Sequence, residues 1–132
     1  MNERAILLTV LGLHLAVAVV HGSTHELIPV VLPPWQNALV LGTVFLGPVV
    51  GVALALRGHP LGLPLFTVTM AGGVLLGGTL HFLVENPDHV HAIPDSRWRL
   101  GFQVSAVAVA LTPALGTAVG VWLLYARRGD EP

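Results

Sequence analysis

The chain has 132 residues, of which 54% are hydrophobic and only 10% charged, and its mean hydropathy is +0.78. A soluble domain carries about 25% charged residues, so the composition is that of an integral membrane protein. Seven acidic residues against six basic ones leave a net charge of -1 and no basic patch to hold nucleic acid, while the absence of cysteine excludes disulfides, iron–sulfur clusters and thiolate metal sites.

Four apolar stretches are long enough to cross a hydrocarbon core of about 30 Å at about 1.5 Å per residue. The first covers residues 5–25 and is interrupted by Pro29, Pro33 and Pro34. On a helix, His14, Ala18, His21 and His25 fall on one stripe. Arg4 ahead of an apolar run gives Met1–Val20 the outline of a signal peptide, but Val20-His21-Gly22-Ser23 contains no A-x-A cleavage site. The second stretch, residues 37–56, follows Trp35-Gln36-Asn37, read as an interfacial aromatic and a helix N-cap. It contains Pro48 and ends at Arg57-Gly58-His59-Pro60, where His59 reads as a solvated turn residue.

The third stretch, residues 61–84, places Gly73, Gly77, His81 and Glu85 at successive intervals of four and is broken by Asn86-Pro87-Asp88. Small residues at this spacing let helices approach closely or make room for a cofactor. The fourth, residues 100–126, follows Arg97-Trp98-Arg99, contains Pro113 and carries Tyr125 at its end. Pro48 and Pro113 each delete an internal hydrogen bond and are expected to bend their helices.

The expected fold is all-α: an integral membrane, up-down four-helix bundle forming a single domain over residues 1–132. His21 and His81, His25 and Glu85, and Pro34 and Pro94 each stand sixty residues apart. That offset fits two tandem helical hairpins; identity between the halves is otherwise poor, and coincidence explains the offset equally well. Arg4, Arg57, Arg127 and Arg128 fall on one side against Arg97 and Arg99 on the other. The positive-inside rule then puts the protein in the cell membrane with both termini cytoplasmic and the His/carboxylate pairs near the outer face.

His21, His25, His81 and Glu85 form the expected metal-ligand set: His21 and His81 make an inner layer, and His25 and Glu85 a layer about 6 Å further out. Imidazole and carboxylate are donors for iron, copper and zinc, and ionisable groups inside a membrane are functional by default. The histidines would ligate as neutral imidazoles, with Glu85 completing the shell or acting as a base on bound water. Glu26, Asp88, His89 and His91 crowd the mouth and read as groups that tune or feed the site. His14 lies deeper and alone; bonding to a carbonyl or to one of Thr9, Thr43, Thr69, Thr112 and Thr117 would satisfy it.

Two other readings use the same residues. A haem b held by His21 and His81 would find room beside Gly22, Gly77 and Gly78. Alternatively, the histidines serve proton movement or helix packing in a channel, transporter or assembly subunit. No catalytic residue is legible. The expected partner is the lipid bilayer, with other membrane subunits or further copies of the chain left open.

Overall fold

The computed structural model describes residues 2–28 and 30–129. Pro29, one of the prolines expected to interrupt the first span, lies outside the described residues, as do positions 1 and 130–132 of the expected domain. Four helices account for the chain: α1 (Glu3–Leu27), α2 (Pro34–Leu56), α3 (Gly62–Leu83) and α4 (Arg99–Gly129), each long and apolar enough to cross a membrane. No strand occurs among the described residues. The expected all-helical membrane bundle is therefore present.

The ends of the helices follow from local chemistry. Asn2 caps α1 by accepting from the Ala5 N–H. Helix α2 begins at Pro34, whose fixed φ and missing N–H suit a first helical position. The expected N-cap Asn37 therefore sits inside the first turn and instead donates to the Leu32 carbonyl. Arg57-Gly58-His59 closes α2 with Gly58 at φ +72. The Gly58 and His59 amides return to the Ala55 and Leu54 carbonyls, a Schellman stop that reverses the chain into α3. His59 accepts from the Leu61 N–H in that exposed turn.

Helices α2 and α3, α3 and α4, and α4 and α1 pack along their lengths, whereas α1 touches α2 sparsely. Helices α1 and α3 consequently stand on a diagonal. The tight faces are made by small residues: a Cβ at Gly51 would meet the Phe66 backbone, and one at Gly120 would meet Thr67. At the end holding both termini, Leu7, Val10, Val52, Leu63, Phe66 and Met70 form an apolar core, and Arg127 pairs with Glu3. Outward-facing apolar residues such as Leu75 and Leu111 are 71% and 64% exposed, which places the apolar chain surface toward lipid.

The prolines act differently from the expected pair of bends. Helix α4 runs through Pro113 without a break. Helix α2 instead contains a π-helical stretch, Leu41–Leu46, immediately before Pro48, with the Gly47 N–H bonded to Gly42 five residues back. In an α-helix the Val44 carbonyl would receive the N–H of residue 48, and proline has none. His14 supplies that donor from α1: its Nε2 lies 2.9 Å from the Val44 oxygen, and its Nδ1 lies 3.2 Å from Thr112 Oγ1 on α4. A carbonyl only accepts, so Nε2 carries the proton and Nδ1 accepts from the threonine hydroxyl. His14 is 1% exposed and fully bonded, a clip joining three helices.

Replacing His14 by Ala is expected to lower stability by about 1–2 kcal/mol, with Gln restoring part of the loss, because two buried polar groups lose their partners. Unfolding in mixed micelles measures it; unchanged stability would show the clip to be idle.

Candidate functional site

At the other end of the bundle the interior is polar. His21 and His25 come from the last two turns of α1, His81 from the end of α3, Ser105 from the second turn of α4, and Asp88 from the α3–α4 connection. His21 Nε2 lies 3.1 Å from His81 Nε2 and 3.3 Å from His25 Nε2. Asp88 reaches His25 Nε2 at 3.4 Å and His81 Nδ1 at 3.3 Å with its two carboxylate oxygens. His21, His81 and Asp88 are only 6%, 5% and 2% exposed.

The protons on these rings follow from their outer partners. His81 Nδ1 lies 3.0 Å from the Asp88 carbonyl, which only accepts, so the proton is on Nδ1 and Nε2 is bare. Ser105 Oγ lies 2.9 Å from His21 Nδ1 and 3.0 Å from the Phe102 carbonyl, and its single proton serves one of them. Donation to the carbonyl puts the His21 proton on Nδ1, and donation to Nδ1 puts it on Nε2. The 3.1 Å contact across the diagonal is a hydrogen bond to His81 in the second arrangement and brings two lone pairs together in the first. Asp88 Oδ1 and His25 Nδ1 are buried without a hydrogen-bond partner.

Glu85 does not join this cluster; it is exposed in the connection. The expected helical spacing from His81 fails because α3 changes to π-helical bonding over Thr79–Leu83 and ends there, with Val84 extended. Asn86 then collects the helix end, donating to the Leu80 and Val84 carbonyls while accepting from the Asp88 N–H. Asp88 is thereby turned inward, to the place expected for Glu85. The sequence held a signal for this: the residue before Pro87 is disfavoured in a helix, and Asn-x-Asp favours a local side-chain turn.

The remaining candidates fall around the cluster. Glu26 is exposed at its rim, and His89 and His91 form a surface pair with ring centroids 5.4 Å apart, His89 accepting from the His91 N–H. His14 belongs to the inter-helical clip described above. Phe102, Ser105 and Thr112 were not picked out as a group by the sequence reading, although they lie at three- to four-residue intervals along one face of α4 with Val109. Phe102 is fully buried and packs against all three imidazoles, with ring centroids 5.0, 5.1 and 5.9 Å away. Ile28, Val30, Val90 and Ile93 from the two connections close over it, and Gln103 pins the lid by donating to the Val90 carbonyl.

A cavity of about 490 Å³ adjoins the cluster in the gap between α1 and α2, with α3 as its floor. Gly22 and Gly77 line it, whereas Gly78 does not. No group of three or more His, Asp or Glu side chains among the described residues is arranged to hold a metal ion as placed. His25 and His81 both touch His21 but have ring centroids 6.4 Å apart, so the three nitrogens do not surround one point. Comparison with protein-family models, curated proteins and solved structures found no match.

Burial pushes the Asp88 carboxyl up to about 7. In the unfolded chain that group ionises near pH 4, so between those limits the folded state binds more protons and Asp88 lowers stability as pH rises. Wild-type minus Asp88→Asn stability, measured without metal, is expected to fall from pH 5 to pH 8 and flatten above; a difference independent of pH would contradict it.

Proposed function

We propose that His21, His25, His81 and Asp88 form a non-haem metal centre at the lid end of the bundle, serving redox chemistry or metal handling. The observation that carries this reading is the convergence of the His21, His25 and His81 Nε2 atoms and Asp88 Oδ1 at contacts of 3.1–3.4 Å. Donor separations of 3.1–3.4 Å match the roughly 3.3 Å edge of a tetrahedral site with bonds of about 2.0–2.1 Å. The outer nitrogens are held as metal-ligating histidines usually are: His81 Nδ1–H on a backbone carbonyl and carboxylate, His21 Nδ1–H on an anchored serine. Closing the set requires the His25 ring to move toward His81, and its unpartnered Nδ1 leaves it the least restrained of the three.

The donors are three nitrogens and one oxygen with no sulfur, a set suited to zinc, copper(II) or iron. Such an ion would supply a Lewis acid or an electron relay close to the membrane surface. The His21–His81 contact favours an ion over a bis-histidine haem, whose axial nitrogens stand about 4 Å apart, twice the metal–nitrogen bond. Phe102 and the lid cover the imidazoles on one side, and Asp88 offsets the positive charge.

A proton held between His21 and His81 also accounts for the 3.1 Å contact, which is the basis of the proton-path reading. The chain of titratable groups, however, stops at His21. The next group inward is His14, seven residues or about 10 Å away, and both its nitrogens are engaged elsewhere. A binding centre fits that break better than a conduit. The arginine placement puts the centre at the outer face with both termini inside.

Purified protein is expected to carry about one iron, copper or zinc per chain by elemental analysis, lost in His81→Ala and retained in Glu85→Ala. Metal-free folded protein that fails to bind any of the three, or a Soret band tracking His21 and His81, would overturn the ion reading. Orientation is tested in the cysteine-free background: Ala92→Cys should react with an impermeant maleimide from outside intact cells and His59→Cys should not, the reverse pattern inverting the topology.

A further inference from the structure

We propose that the cavity beside the cluster binds a lipophilic molecule with a hydrogen-bond-donating aromatic head, of the phenol or hydroquinone class, its hydroxyl directed at Asp88. About 490 Å³ lies within the range of small-molecule sites, about 300–1,000 Å³. The walls away from the cluster are apolar: Val40, Val44 and Phe45 on α2, Leu76 and Leu80 on α3. The sparse packing of α1 on α2, the one loose seam between neighbouring helices, gives access from the bilayer. Gly22 and Gly77 keep side chains out of the space, and a Cβ at either would meet nothing closer than the His81 ring at 3.9 Å.

The polar edge determines the kind of head group. The polar groups lining the cavity are the Asp88 and Glu26 carboxylates, which accept, the His21, His25 and His81 imidazoles, and the Asn37 amide. Asp88 is 2% exposed, and its Oδ1 has no hydrogen-bond partner, with His25 Nε2 3.4 Å away. As a carboxylate, Asp88 presents a buried acceptor without a donor, which is costly and is complemented by a hydroxyl, not by a carbonyl. The surrounding rings offer flat faces and edges to an aromatic head. These features stand without a bound ion.

The test is binding of a decyl-substituted hydroquinone to the full chain in nanodiscs, measured above partition into empty nanodiscs, in chelated protein, where no ion occupies Asp88 Oδ1. Saturable binding of one molecule per chain is expected, weakened at least about tenfold by Gly22→Leu or Gly77→Leu, which fill the space from opposite walls. Gly78→Leu, outside the cavity with nothing near its Cβ, controls for folding and should bind as wild type. The corresponding quinone, which cannot donate, and decane should bind about tenfold or more weakly. Non-saturable partition, binding indifferent to both cavity-filling variants, or equal affinity for quinone or decane would each overturn the proposal. Because metal content is measured separately, failure here leaves the metal reading intact, and the converse holds.

Discussion

Two imidazole nitrogens face each other at 3.1 Å across the diagonal of the bundle, and much of the site is built around keeping them there. In water such a contact would relax by rotation or protonation. Here His21 is tied through Ser105 to the backbone of α4, and His81 is tied to the backbone and carboxylate of Asp88. Phe102 fills the space between the rings and the lid. Polar groups in a low-dielectric interior are either satisfied or expensive. Most of this cluster is satisfied, while Asp88 Oδ1 and His25 Nδ1 are left without hydrogen-bond partners.

The backbone irregularities of α2 and α3 serve the same end by different routes. Before Pro48, π-helical bonding and a missing N–H give α2 a carbonyl that accepts from His14. At the end of α3, a second π-helical stretch stops the helix early, so that Asn86 and Asp88 fold back over His81. Broken helices are tolerated in a membrane only where another group completes the hydrogen bonding. His14 and Asn86 supply that completion. One fixes the depth at which α1 meets α2 and α4, and the other fixes the carboxylate.

The loose α1–α2 seam follows from the tightness of the others. Glycines on α2, α3 and α4 bring those three helices close, while α1 is held mainly against α4 and by the His14 clip. The remaining space collects beside the imidazoles, where Gly22 and Gly77 add no side chains. A polar cluster therefore borders an apolar cavity at this end of the bundle.

The sequence by itself determined the four-helix membrane architecture, because span length and hydropathy are local properties set by bilayer thickness. It also made His21, His25 and His81 candidates for one site, because four-residue spacing and matched depth confine side chains to one stripe. It anticipated that a threonine or a carbonyl would satisfy His14, without saying which. Only the tertiary structure decided that both Thr112 and Val44 do so, that Ser105 and Phe102 complete the surroundings of the cluster, and that Asp88 rather than Glu85 supplies the carboxylate. Those choices depend on where a helix stops and how a connection folds back, and such outcomes are set by hydrogen bonds between residues far apart in the chain, which periodicity along a single helix does not encode.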